Sequence, residues 1–322
     1  MPTDPRAGFP CLNDRPSLSI IIVSWNVADF LEACLRSIYD TCPVDTEVLV
    51  VDSASTDNTV DRVRLTFPNA RLLAQPDNVG FAKGNNIGLA EAHGDYLLLL
   101  NPDTELMDGA IDSILLFMDT SPEIGIAGPQ TLNPDGTHQS TRRRFPSVLT
   151  AVFESTWMEA FMPHSLLESF CVLDADDDDT ILVDWVQGSC LLARREVYEQ
   201  IGGLDEGFMM YSEELDWCRR AKSAGWEVAY IGHARILHYG GQSSAQVPAQ
   251  THIRFNESKI RYFRKHHGWL AAELLRVVVA ANFAAQLAIE AVKWLLGHKR
   301  SLRRERVVAY WQVLRSGLKG AL

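Results

Sequence analysis

Short apolar runs alternate with helical patterns through the first 120 residues, and this alternation is what most constrains the fold. LSIIIVS (18–24), EVLVVDS (47–53), ARLLA (70–74) and YLLLL (96–100) are too short for buried helices and read as buried strands. Between them, 29–41 reads as a helix with Phe30, Leu31, Cys34, Leu35 and Ile38 on one face. Residues 57–67 and 81–92 read as helices too, and 109–118 follows the fourth strand. Strands and helices at this spacing predict an α/β fold, a mostly parallel sheet with helices on both faces. Such sheets bind ligands beyond the carboxyl ends of their strands. Ser24, Trp25 and Asn26 follow the first strand, Asp52 ends the second, and Asn101 and Asp103 follow the fourth in LLLLNPDTEL. Polar residues closing three strands are expected to converge on one crevice.

The second half is less regular. WVQGSCLLARREVYEQIGG reads as strand, glycine turn, strand and short helix. EELDWCRRAKSAGW is a helix closed by Gly225, EVAYI is a strand, and HARILHYGG follows. The acidic run ADDDD (175–179) is either a cation site or a solvated loop. There is no internal repeat and no long linker. The expected layout is a loose arm over 1–16 and one domain over 17–268, with a nucleotide-binding half (17–130) and an acceptor half (131–268). A helical tail, 269–322, completes it.

Charge separates body from tail. From Lys259 onward there are 13 Lys and Arg against three Glu, a charge of +10. With −11 for the whole chain, the rest carries −21. An acidic body excludes a nucleic-acid groove there, and a basic tail suits an anionic partner. The six cysteines form no CxxC or spaced metal set, which fits free thiols in a reducing compartment. MPTDPRAGFPCLNDRPS has no basic start followed by an apolar core and does not read as a signal peptide.

Residues 269–297 read as one long helix whose longest uncharged run, 277–289, has 13 residues. That is short of the ~20 needed to cross a bilayer. Glu273, Arg276, Asn282, Gln286, Glu290 and Lys293 fall on one half of its wheel, beside Val279, Phe283 and Trp294. HKRSLRRER and then VVAYWQVL follow. A basic cluster between apolar, Trp-bearing helices suits an anionic membrane surface, here the inner face of the cell membrane. The alternative is a helical hairpin packed on the domain or on a second copy.

Taken in order, SWN, VVDSASTDNT, NVGFAKGNN, LLLLNPD, GGLDEGFMMYSEELDWCRR and ILHYGG resemble family 2 glycosyltransferases of the GT-A fold, closest to bacterial rhamnosyltransferase-like members. The resemblance covers about 17–265. It implies transfer of a sugar from a nucleoside diphosphate to a hydroxyl of a glycan or lipid-linked glycan, with inversion. The donor it implies is a pyrimidine nucleotide sugar, dTDP-rhamnose first. It also implies a divalent cation, Mg²⁺ or Mn²⁺, on the diphosphate.

The resemblance gives roles to residues. Asp103 matches the last acid of the family's DxD motif and is expected to hold the metal, with His238 completing that site. The first acid is replaced by Asn101, which can bind a ribose hydroxyl but adds no charge. Asp52, Ser24 and Asn26 are expected at the nucleotide, with Asn78, Gly80 and Lys83 from NVGFAKGNN. Lys83 is either a phosphate ligand or a surface lysine. In MYSEELDW the catalytic base maps to Glu214, where the family usually has Asp, and Glu213 and Asp216 are fallback candidates. Gly188 and Ser189 match a loop on the acceptor side. Trp185 either stacks on a sugar or belongs to the core. A nucleotidyltransferase would need a basic, glycine-rich phosphate loop after the first strand, and SWNVADF is not one. Asp103, the acid pair and His238 argue against an inactive sugar-nucleotide-binding protein.

Overall fold

The computed structural model describes residues 17–43, 45–154, 156–173 and 175–319. The arm expected over 1–16, with Cys11, lies outside the described residues. The first half alternates β1 (Leu18–Ser24), α1 (Ala28–Thr41), β2 (Thr46–Asp52), α2 (Thr59–Thr66), β3 (Arg71–Ala74), α3 (Phe81–Glu91), β4 (Tyr96–Leu100), β5 (Thr104–Leu106) and α4 (Ala110–Thr120). β6 (Ile124–Leu132), β7 (His138–Gln139), β8 (Arg142–Arg143), α5 (Val148–Phe153), a 3₁₀ turn (Trp157–Phe161) and α6 (His164–Cys171) come next. They lead to β9 (Thr180–Val183), β10 (Trp185–Val186), β11 (Cys190–Arg194), α7 (Arg195–Ile201), α8 (Glu213–Ser223) and β12 (Glu227–His238). Three helices end the chain, α9 (Pro248–His267), α10 (Trp269–Leu295) and α11 (Arg300–Ser316).

The main sheet runs β3-β2-β1-β4-β11-β6-β12-β5. β1 pairs in parallel with β2 and β4, β2 with β3, and β6 with β12. β11 runs antiparallel between β4 and β6. After β1 the chain steps outward to β2 and β3, then returns to β1's other side as β4. That reversal opens a crevice at the carboxyl ends of β1 and β4.

Apolar strands bury both faces of the sheet. Ile20, Ile22, Val50, Leu98 and Leu100 pack with α1 and α4, while Ile21, Leu49, Leu97 and Leu99 pack under α3, α7 and α8. Helix α3 lies unusually close to β1. A Cβ on Gly84 would sit 2.8 Å from Val23, and one on Gly88 would sit 2.3 Å from Ile21.

Strand β12 is longer than the sequence reading, which ended it at Ile231. Its pairing with β6 shifts register between Ile231 and Arg235, and the strand then continues to His238. The shift places His238 opposite Thr104 of β5. The acidic run is a loop fastened by side chains: Asp177 contacts His138 and pairs with Arg142, and Asp178 pairs with Arg235.

The tail is a helical hairpin packed on α9. Ala272, Leu275, Val279 and Phe283 of α10 and Val313 of α11 form a third core with Ile260, Tyr262, Phe263 and Ala151. Arg303 closes the hairpin on the buried Glu290 at 2.6 Å. By length and composition α10 is long and apolar enough to cross a membrane, with 28% of its most apolar stretch buried against the protein. The packing expected as the alternative is therefore present. Trp269, Leu270, Leu274, Val277, Leu295, Leu296 and Trp311 nonetheless stay exposed.

Candidate active site

The crevice is lined from β1 by Val23, Ser24 and Trp25, and from β4 by Asn101, Pro102 and Asp103. Ser53, Asn78, Gly80 and Phe81 form another wall, and Gln242 to Ser244, Thr251 and Arg254 close it from the other side. Three polar strand ends do converge, as the alternation required.

Loop hydrogen bonds hold the nucleotide wall. The Val79 amide donates to Ser53 Oγ at 2.9 Å, and Gly80 N to Asn78 Oδ1 at 3.1 Å. Gly80 has φ +79°, and a Cβ there would meet Met209 at 2.8 Å. Asn26, at φ +53°, ties the β1 and β2 loops together. Its Oδ1 accepts from Thr56 N at 2.7 Å and its own amide donates to Ser55 Oγ at 2.9 Å. Asp52 is buried behind this wall. One of its oxygens accepts from Ser55 N at 3.0 Å; Asp52 Oδ1 and Ser24 Oγ have no hydrogen-bond partner among the described residues. Orphaned buried acceptors are rare in folded proteins and point to a ligand that completes them.

Lys83 stands exposed on α3 and does not line the crevice. The cation that lines it is Arg254, from the first half of α9, which has no ion pair among the described residues. The sequence reading missed Arg254 because it assigned no helix between ILHYGG and 269.

Asp103 lines the crevice and meets the buried His238, which does not line it, with Oδ1 and Nε2 3.4 Å apart. Gln139 fixes the imidazole. Its amide nitrogen donates to the His238 carbonyl at 2.8 Å, so its Oε1 faces His238 Nδ1 at 2.9 Å and accepts that N–H. The remaining Nε2 presents its lone pair toward Asp103. Burial opposes charge on Asp103, but His238, where its Nε2 carries a proton, and the Gln242 amide outweigh it and hold the carboxyl below its ordinary range. A carboxylate oxygen and an imidazole lone pair this close want a proton or a cation between them. The Asn101 amide lies 3.4 Å from the same Nε2, and its Oδ1 is buried and unpartnered. Among the described residues no group of three or more His, Cys, Asp or Glu is placed to hold a metal ion. A cation here would thus take two protein ligands and fill its shell with phosphate and water, which suits Mg²⁺ or Mn²⁺.

Glu213 and Glu214 open α8 after Tyr211 and Ser212, both in the left-handed region at φ +73° and +64°. Both acids have an Oε2 closed to solvent and without a hydrogen-bond partner among the described residues. Burial raises the pKa of Glu214, against backbone N–H groups of Glu214, Leu215 and Gly188. Burial and then the neighbouring Glu214 charge push Glu213 well above the usual carboxylate range. Both carboxyls are thus harder to ionise than an ordinary glutamate, Glu213 more so than Glu214.

Asp216 is spoken for elsewhere. It is wholly buried, 2.9 Å from Arg220, 2.8 Å from Lys265 and 2.7 Å from His266. Burial opposes its ionisation, yet these partners drive its pKa far below the ordinary value. A carboxylate held by so many donors is a poor base, so the geometry gives this fallback candidate a role in clasping α8 to α9.

The turn between β10 and β11 joins the two acid sites. Gly188 N–H bonds Glu214, and Ser189 carbonyl accepts from Asn101 N at 2.9 Å. Trp185 points its Nε1 at the Arg144 carbonyl, 3.0 Å away, and packs against two of the cores.

A sequence profile described as "Glycosyl transferase family 2" matches residues 19–218. An N-acetylglucosaminyl-diphospho-decaprenol L-rhamnosyltransferase of Mycobacterium tuberculosis is 29% identical over 270 residues, covering 80% of this chain and 87% of the relative. Rhamnosyltransferase WbbL of Escherichia coli is 25% identical over 207 residues, covering 58% of this chain and 70% of its own. Among solved structures, the mannosyltransferase PcManGT of Pyrobaculum calidifontis, in complex with GDP-Man and Mn²⁺, has a TM-score of 0.54 at 18% identity. It covers 95% of this chain and 87% of that one. The chain belongs to glycosyl transferase family 2 and is a glycosyltransferase with the GT-A fold.

Proposed function

We propose that the chain transfers a sugar, rhamnose from dTDP-rhamnose first among donors, to a hydroxyl of a lipid-linked glycan, inverting the anomeric carbon. One observation carries the reading. The β10–β11 turn holds Asn101, a neighbour of His238, through the Ser189 carbonyl and Glu214 through the Gly188 N–H. The rhamnosyltransferase relatives support the donor sugar, and the decaprenol-linked substrate named for one supports the acceptor class.

Glu214 accepts the proton of the acceptor hydroxyl. That oxygen bonds the anomeric carbon from the face opposite the diphosphate, and the carbon–oxygen bond to the diphosphate breaks with its electron pair leaving on the phosphate. Asp52 accepts from the nucleotide base through its free oxygen. Arg254 meets the diphosphate from the wall opposite Asp103. A bound divalent cation at Asp103 and His238 supplies further positive charge to the leaving group. Glu213 stays protonated and so spares Glu214 a second negative charge. The basic tail rests on an anionic membrane surface, where a lipid-linked acceptor is found.

The test is turnover of the purified chain with a panel of sugar nucleotides and a lipid-linked acceptor, with product configuration read by NMR. Consumption of dTDP-rhamnose that depends on acceptor and yields the inverted anomer supports the reading. Retention of configuration, or no donor consumed, overturns it.

A further inference from the structure

A second cavity, of about 660 Å³, lies between the 3₁₀ turn at Trp157–Phe161 and helices α9, α10 and α11. Its volume is that of a small-molecule site. It adjoins the crevice: Thr251 lines both, and Tyr211 lines the cavity just before Ser212 and the acid pair. We propose that this cavity is the subsite for a neutral pyranose unit of the acceptor, a reading that rests on the glycosyl transfer proposed above.

The lining argues for a sugar over other ligands. Trp157, Tyr211, Phe255, Phe283 and Tyr310 give it flat aromatic walls. A pyranose has apolar C–H faces that fit such walls and a rim of hydroxyls that needs polar partners. Gln286, Asn256 and Glu159 place polar groups among the rings. An alkyl chain would strip water from them without replacing its hydrogen bonds. A phosphate is disfavoured for another reason. Among the described residues Glu159 is the one carboxylate in the lining, and no Lys or Arg lines it. His252 adds no charge, because burial lowers its pKa and its ring lies edge-on to Phe283 at 5.8 Å and Tyr310 at 6.1 Å.

Asn282 lies behind the lining residues Trp157 and Gln286 and is 4% exposed. Its Oδ1 accepts from Trp157 N and Gln286 Nε2, both at 3.2 Å. Its Nδ2 has no partner among the described residues. The polar network behind the wall is therefore one acceptor short. Trp157 itself stands 61% exposed at the rim, an aromatic face that a sugar can cover.

The experiment is saturation-transfer NMR on the full chain with methyl glycosides of glucose, galactose, mannose and N-acetylglucosamine. At least one is expected to bind, and Trp157→Ala and Gln286→Leu are each expected to raise its dissociation constant about tenfold, the loss of one good contact. A nucleoside diphosphate is expected to leave the signal in place and to bind both variants as it binds the parent. Circular dichroism confirms that both variants fold. The proposal is overturned if no glycoside binds, if both variants bind as the parent does, or if the nucleoside diphosphate displaces the glycoside. Octanol binding in place of every glycoside also overturns it. Glycoside binding in a chain that turns over no sugar nucleotide leaves the subsite standing and removes the transfer reading. Transfer without glycoside binding does the reverse.

Discussion

Two adjacent glutamates at the start of α8 share one buried place, and their division of labour can be measured. Glu214→Gln keeps the size of the side chain and removes the base. General-base contributions are ~10²–10⁴-fold, so turnover should fall by about that much. Donor affinity, read by nucleotide titration, should barely move, because Asp52, Asp103 and Arg254 hold the donor. Glu214→Asp should keep substantial activity, since only the reach changes. Glu213→Gln should keep most of it as well, because the amide mimics the protonated acid that the coupled pair favours. Near-normal turnover in Glu214→Gln would move the base to Glu213. The raised pKa of Glu214 also fixes the sign of the pH profile. The base works ionised, so kcat is lost as pH falls through that raised value. The acid limb should lie above the ~4.3 of an ordinary glutamate. Arg254→Ala should weaken nucleoside diphosphate binding about tenfold or more, whereas Lys83→Ala should not, and isothermal titration separates the two.

At the scale of elements, the β/α half was legible because each strand there is a short apolar run buried on both faces and stopped by a polar residue. Helix α9 was not legible, for a physical reason. Its buried positions include Asn256, Ser258 and Lys259, satisfied by the carbonyls of His252, Met210 and Ala151. Burying polar groups against backbone carbonyls interrupts the apolar face that Ile253, Ile260 and Phe263 give this helix. The motifs found Asp103, His238 and the acid pair, but a motif carries no information about its neighbours. Gln139 on a two-residue strand, and Arg254 on the unread helix, left no such signal. The α8–α9 clasp tests this scale. Asp216→Asn leaves Lys265 and His266 facing a neutral amide, and breaking a buried pair costs ~3–5 kcal/mol. Urea unfolding at pH 7 should show that loss. The depressed pKa of Asp216 means its contribution is present above the unfolded value and fades as pH falls below ~4. The gap between parent and variant should therefore narrow in acid. Close packing gives a second check: Gly88→Ala forces α3 off Ile21 and should cost about 1–3 kcal/mol.

For the whole molecule, the open matter is what the tail's outer face meets. Its inner face belongs to the fold, since Leu275, Val279, Phe283 and Val313 complete the third core. Removing residues after 268 would uncover that core, so truncation is the wrong test of membrane binding. Charge offers a cleaner one. Lys299, Arg300 and Arg304 are exposed and beside the apolar surface of Leu295, Leu296 and Trp311, while Arg303 is engaged with Glu290. A basic residue near an anionic lipid surface contributes about 1 kcal/mol. Replacing all three by Gln should weaken binding to anionic vesicles by about 3 kcal/mol, or on the order of a hundredfold. Sedimentation with vesicles of mixed anionic and neutral lipid reads this directly. Binding by the parent should also fall as salt rises, because exposed charges are screened. Turnover on a short soluble acceptor should be unchanged in the variant, since none of the three lines the crevice. A parent chain that stays in the supernatant with anionic vesicles, or a variant that binds them equally well, would assign the outer face to protein contacts instead.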